Sequence, residues 1–310
     1  MPKDVYLQPN VPDLVLDSEL ILSLARRHVP NVQAVTAVDE SGGEARTYAI
    51  DSNLIFKTQR PHRLRPRTSL SREVFFLNQI TAVAPELAVP RVMGYGRADE
   101  FIEYTLMTRI PGIALRNATV DNAARLQVMR DLGRTLRRIH QMPQADFIAS
   151  NLFPGDTSSA DTRARVNELL DDFVARIQNE KREWTIKVSP DQVAERVRTW
   201  LPDTKERVAL HSNPYHEHTF VEPGTGKFAG LIDFGDAYIS HPTFDLRRWR
   251  TREERAALLA GYGAEQAVSE EFLRMWLAMQ VVGDLAAIAQ SPTLGQAAHA
   301  DFERLLPELG

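Results

Sequence analysis

The sequence predicts an α+β fold, with strands concentrated early and helices late. Short apolar segments at residues 35–38, 47–50 and 54–57 are separated by turn residues, Ser41-Gly42-Gly43 among them. Later stretches at 121–140, 162–183, 190–201, 251–259, 269–289 and 297–306 repeat apolar residues at helical spacing. One hairpin interrupts the helical part, its two apolar arms at 218–221 and 228–232 joined by a turn carrying Pro223, Gly224 and Gly226.

Each element has a local reason. Asp17 is placed to cap a first helix whose apolar face is Leu20, Ile21 and Leu24, with Val29 near its end and Pro30 to stop it. The strand at 54–57 ends in Lys57. Sixteen residues later Glu73 opens an apolar helix through Val74, Leu77 and Ile80. Between them lie Arg60, Arg63, Arg65, Arg67 and Arg72, with two prolines that oppose helix, which reads as a mobile basic loop. Further strands are expected at 91–95 and 101–108, the second running into Arg109-Ile110-Pro111-Gly112. The helix at 121–140 puts Leu126, Met129, Leu132, Leu136 and Ile139 on one face and ends at His140, read as structural. Asp171 and Asp172 on the next helix suit either a cationic acceptor or a solvated face.

Composition narrows the function. The chain has 310 residues, enough for two lobes. It has no cysteine, which excludes disulfides, zinc–thiolate sites and cysteine nucleophiles. The first ten residues, MPKDVYLQPN, are polar, so a cytoplasmic protein without a secretory leader is expected. The apolar stretch 272–289 contains Arg274 and Asp284 and reads as a buried helix, not a membrane span. Residues 1–149 carry 19 Lys+Arg and 16 Asp+Glu, and residues 150–310 carry 18 and 25. A basic first half suits a polyphosphate and an acidic second half a cationic small molecule, with ordinary surface variation as the competing reading. Nucleic-acid binding is disfavoured, because the chain is acidic overall and the basic stretch has no interleaved aromatic residues.

The chemistry-bearing residues cluster around the hairpin. His211, Asn213 and His218 precede it, and Asp233 and Asp236 follow where its second arm stops at Asp233-Phe234-Gly235. The ordered set His211-Ser212-Asn213, His218, Asp233-Phe234-Gly235 and Pro242-Thr243-Phe244-Asp245-Leu246 resembles the catalytic core of the aminoglycoside phosphotransferase family. The resemblance implies a bilobal protein-kinase-like fold. Residues 1–108 would form a small antiparallel-sheet N-lobe that binds nucleotide and carries an extra N-terminal helix. Residues 109–310 would form a larger, mostly helical C-lobe for catalysis and acceptor binding.

It also implies roles. Lys57 and Glu73 would be the phosphate-binding lysine and its helix partner. Gly42 and Gly43 would let the backbone approach phosphate, although a plain hairpin turn is the simpler reading. Backbone near Met107 and Thr108 would pair with adenine or guanine of ATP or GTP. Asp233 and His218 would hold Mg2+, with Mn2+ as an alternative. His211 would hold the catalytic loop against Asp245. Asp236 would line the acceptor pocket or support the metal.

Two positions depart from the family pattern. His218 stands where an asparagine is usual, a variation found in some branches. Asn213 falls on the catalytic aspartate, and an amide takes no proton at neutral pH. The expected enzyme is a phosphotransferase of antibiotic-resistance type acting on a hydroxyl, impaired by Asn213. The alternatives are a non-catalytic nucleotide-binding pseudokinase and a kinase for choline, homoserine or a sugar; macrolides are neither excluded nor supported. Asn213 itself has three readings: an engineered change, a natural degenerate site, or a site served by another base.

Overall fold

The structure, a computed structural model, describes residues 10, 13, 15–39, 43–60, 70–98 and 102–309. In chain order the elements begin with α1 (Ser18–Arg26), β1 (Val35–Asp39), β2 (Ala45–Ile50), β3 (Leu54–Gln59), α2 (Leu70–Val83), β4 (Val92–Arg97), β5 (Glu103–Thr108) and β6 (Ile113–Ala114). They continue with α3 (Asn122–His140), α4 (Ala145–Ala149), α5 (Ser159–Asn179), α6 (Pro190–Trp200), β7 (Val208–Leu210), β8 (Thr219–Val221), β9 (Phe228–Leu231) and β10 (Tyr238–Ser240). The last are α7 (Thr243–Leu246), α8 (Arg252–Tyr262), α9 (Glu270–Gln290) and α10 (Pro292–Leu305).

These elements form two compact units. The first comprises the described residues within Met1–Thr119, Met142–Pro154 and His216–Tyr238. The second comprises those within Val120–Gln141, Gly155–Tyr215 and Ile239–Gly310.

The first unit is built on an antiparallel sheet of order β1-β2-β3-β5-β4. Alternation along β2 and β3 sends Tyr48, Ile50, Leu54 and Phe56 to one face, where Ile21, Leu24 and Ala25 of α1 bury them. Asp17 caps α1 as expected, its Oδ1 accepting from the Leu20 N–H at 2.8 Å. The helix stops at Arg26, short of Pro30, although the Val29 N–H still reaches the Ala25 carbonyl. The strand expected to end at Lys57 runs on to Gln59, so Lys57 lies inside β3. The helix expected to open at Glu73 begins at Leu70.

The hairpin belongs to this unit as a second sheet of order β6-β8-β9. Its turn needs glycine, with φ at +81° for Gly224 and +66° for Gly226. Gly230 on β9 has φ +154°, and a Cβ there would lie 2.5 Å from the Ala88 carbonyl oxygen. The hairpin therefore seats directly on the backbone that precedes β4.

The second unit is mostly helical. Ser158, Ser189 and Thr251 each cap a helix through a reciprocal box with Asp161, Gln192 and Glu254. α3 and α8 touch through backbone, because a Cβ on Gly133 would meet the Leu258 carbonyl at 2.2 Å and one on Gly261 the Arg130 carbonyl at 2.0 Å. α9 is long and apolar enough to cross a membrane by length and composition, with 67% of that window buried in the fold. Its buried charged residue, Asp284, faces Arg255 of α8 at 2.5 Å, the pairing expected of a core helix. Arg255 also binds Asp301 of α10 at 2.8 Å and the Trp249 carbonyl at 2.7 Å.

Candidate active site

In the first unit three carboxylate and amine groups from distant parts of the sequence converge. β3 presents Lys57, α2 presents Glu73, and the end of β9 presents Asp233. The Lys57 Nζ donates to Glu73 Oε2 at 2.8 Å and to Asp233 Oδ1 at 2.7 Å. Only 12% of the Lys57 side chain and 1% of the Glu73 side chain are exposed, against 41% for Asp233. Burial works against the Lys57 charge, but Asp233 and Glu73 outweigh it and raise its pKa above the ordinary lysine value. The lysine is therefore a fixed cation, with one carboxylate shielded behind it and one open to ligands.

The hairpin brings His218 to the same place. The Ile232 N–H donates to the His218 carbonyl at 3.1 Å, so the residues flanking the two arms are paired. His218 Nε2 then lies 3.3 Å from Asp233 Oδ2. Asp233 adopts φ +70°, a left-handed conformation uncommon for a residue with a Cβ. Next to it, the Phe234 N–H donates to Glu73 Oε1 at 3.3 Å, and the Phe234 ring packs on Phe76 at 5.0 Å. Among the described residues no group of three or more His, Asp or Glu is arranged to hold a metal.

His211 and Asn213 belong to the second unit. Their network centres on Asp245, which is fully buried. It accepts from the His211 N–H at 2.8 Å, the Ser212 N–H at 2.7 Å and His140 Nε2 at 3.0 Å. The expected pairing of His211 with Asp245 is therefore made by backbone, and the imidazole facing the carboxylate is that of His140. His140 Nδ1 in turn meets the Tyr262 hydroxyl at 3.0 Å. The Asn213 N–H donates to His211 Nδ1 at 3.2 Å, which leaves Nε2 to carry that ring's proton. Ser212 between them has φ +82°.

The remaining expectations divide. Met107 pairs with Ile55 and Thr108 with Leu54 in register. The Thr108 N–H is engaged by the Arg91 carbonyl at 2.9 Å and the Arg109 N–H by the Asn53 carbonyl at 2.7 Å. Gly43 has open space around it, and Gly42 lies outside the described residues. Asp236 is half-buried in the first unit. Asp171 and Asp172 pair with Arg198 and Arg176 on an exposed helix surface.

The basic loop is partly a misreading. Arg60 is buried and its Nε donates to Asp13 at 3.1 Å, holding that carboxyl near 2 together with Arg46. Arg72 lies in α2, while Arg63, Arg65 and Arg67 lie outside the described residues. His140 and Arg72 are the residues whose contacts sequence reasoning missed. Both act over long separations, with no local pattern to signal them.

Comparison with known proteins gives consistent matches. The model of the phosphotransferase enzyme family matches residues 36–281. An aminoglycoside 3'-phosphotransferase from Streptomyces fradiae is 26% identical over 149 residues, 48% of this chain and 52% of the relative. The chain thus matches about half the length of that curated relative. Among solved structures, the macrolide 2'-phosphotransferase from Brachybacterium faecium superposes with a TM-score of 0.59 at 19% identity, covering 92% of this chain and 97% of that one. The GDP and kanamycin complex of APH(2")-IIia gives 0.59 at 13% identity, covering 93% and 97%. These likenesses show the fold, which is the protein-kinase-like one expected from the sequence.

Proposed function

The chain belongs to the phosphotransferase enzyme family, and from that premise we propose that it binds ATP or GTP and directs the γ-phosphate to a hydroxyl of a small molecule. The observation that carries this reading is Lys57 bridging Glu73 and Asp233 at 2.8 and 2.7 Å. A cation held by a buried carboxylate on one side is placed to meet phosphate oxygens on the other. We read residues 1–108 as the nucleotide lobe and 109–310 as the catalytic and acceptor lobe.

Each residue has a role in this reading. Lys57 neutralises phosphate charge, and Glu73 fixes its position. Gly43 approaches the phosphates, and backbone around Met107 and Thr108 receives the base. Asp233 and His218 would hold a divalent cation delivered with the nucleotide. The donor set fits through its carboxylate: Asp233, 41% exposed, is a hard oxygen ligand of the kind Mg2+ and Mn2+ take and leaves most positions to phosphate and water, whereas the His218 imidazole is a poorer partner for Mg2+ than an amide oxygen. When bound, the cation would neutralise charge on the transferring group. Asp236 borders this arrangement in sequence, supporting either metal or acceptor.

Asn213 occupies the base position of the motif. Losing general-base catalysis typically lowers a rate by about 10² to 10⁴-fold. Transfer remains feasible, because the loose transition state of phosphoryl transfer does not require early deprotonation of the acceptor. The chain is therefore read as a slow phosphotransferase that keeps nucleotide binding. A pseudokinase is the second reading, and Asn213 is what favours it. We put such antibiotics first among acceptors, because the relatives are named aminoglycoside and macrolide phosphotransferases. The acidic second half suits the cationic aminoglycosides. Choline, homoserine and sugars follow.

Calorimetric titration with ATP and GTP, with and without Mg2+ or Mn2+, tests the nucleotide half of the proposal. Binding that is lost in Lys57→Met supports it. Equal binding by both chains would remove Lys57 from the phosphate site.

A further inference from the structure

We propose that Arg72 is a positioning residue for Asp233, acting through the backbone of the Asp233-Phe234-Gly235 turn. This rests on the reading of Asp233 as the metal-binding carboxylate.

Arg72 is only 7% exposed, although its guanidinium is always charged. Its Nε donates to the Leu152 carbonyl at 2.8 Å and its NH1 to the Gly235 carbonyl at 3.3 Å. Its neighbour Glu73 accepts the Phe234 N–H, and Phe76, one helical turn further, packs on the Phe234 ring. One end of α2 thus grips the turn through an amide, a carbonyl and a ring. The Leu152 contact extends the grip to the segment bearing Phe147 and Phe153, both packed against Phe76 at 4.9 and 5.9 Å.

The grip has work to do at Asp233. A left-handed φ of +70° is retained only where the surroundings impose it. Glu73 holds the turn just after Asp233, and Arg72 holds it one residue further on. With the second anchor removed, the turn is held less firmly at positive φ, and the Asp233 carboxylate shifts against His218 although Lys57 still contacts it. A lysine cannot replace the planar fork, because a single ammonium does not span the two carbonyls in the same way.

The test uses the full chain and a non-hydrolysable ATP analogue, its affinity measured by calorimetry with and without Mg2+. The readout is the ratio of the two affinities, alongside the melting temperature. Asp233→Asn is expected to abolish the gain from Mg2+. Arg72→Ala is expected to reduce it about tenfold, the size of one charge-assisted hydrogen bond, with the metal-free affinity unchanged. Arg72→Lys, which keeps the charge and covers the case of an unstable alanine variant, is expected to fall between Arg72→Ala and the parent chain. A merely structural arginine would lower the melting temperature and leave the ratio alone. If Asp233→Asn loses the gain while Arg72→Ala, or Arg72→Lys where alanine does not fold, keeps it, the proposal is overturned and the reading of Asp233 stands. If Asp233→Asn itself keeps the gain, that reading fails and takes the proposal with it.

Discussion

Replacing Lys57 with methionine separates what its ammonium does for the fold from what it does for nucleotide. In the intact chain Lys57 lies 2.8 Å from Glu73 and 2.7 Å from Asp233. Asp233 has water to turn to, but Glu73 is 1% exposed. Methionine fills similar volume and leaves Glu73 as a buried carboxylate without its cation. Breaking such a pair from one side costs about 3–5 kcal/mol. Burial already raises the Glu73 pKa against the opposing pull of Lys57, so loss of Lys57 raises it further. A folded-state pKa above the unfolded value means stability is present at low pH and is lost as pH rises through the folded value. The variant should therefore be close to the parent below about pH 4.5, the ordinary glutamate value, and fall behind as pH rises. Urea denaturation at pH 4.5 and 8 measures this. Adding Glu73→Gln removes the stranded charge and should recover much of the loss at pH 8. An equal deficit at both pH values, or no recovery in the double variant, would refute the reasoning.

Other expectations follow from the second unit. Asp245→Asn gives donors at 2.7, 2.8 and 3.0 Å an amide where they had two carboxylate oxygens, and urea denaturation should show a loss of about 3 kcal/mol; a neutral result would mean that the network rearranges freely. Gly133→Ala drives a Cβ to 2.2 Å from the Leu258 carbonyl, and thermal melting should register separation of α3 from α8 at about 2–3 kcal/mol. Burial raises Asp284 to about 6 against the pull of Arg255, so its contribution is full below about pH 3.8 and lost as pH rises through about 6. Asp284→Asn should flatten that part of the stability profile, measured as urea midpoints from pH 4 to 7.

Much of the candidate site was legible because its parts are short motifs on regular elements. Lys57 and Glu73 were read from an apolar strand and an apolar helix, and the structure pairs them. His218 and Asp233 were read as flanking a hairpin, whose two glycines at positive φ made the turn recognisable. What escaped was long-range or masked by prolines. His140 lies 105 residues from Asp245, so no spacing rule links them. Arg72 follows two prolines and four other arginines, a context that reads as loop, yet the helix begins at Leu70 and draws it inside. β7 and β10 are three-residue strands buried along their whole length, too short to show a period. The stop of α1 at Arg26 was also hidden, since Pro30 marks only the last residue at which the helix must have ended. The contact of α3 with α8 hangs on two glycines that, inside helical patterns, look merely unfavourable.

Asn213 stands at the proposed base position of this phosphotransferase-family chain. The most direct test of that role compares this chain with Asn213→Asp in phosphate transfer from ATP and GTP, with Mg2+ or Mn2+, to aminoglycosides, macrolides, choline and sugars. Both chains should bind nucleotide equally, and the aspartate variant should transfer phosphate to one acceptor class about 10² to 10⁴-fold faster. Equal rates in the two chains would contradict the role given to position 213, and absence of nucleotide binding in both would contradict the assignments of Lys57, His218 and Asp233 together.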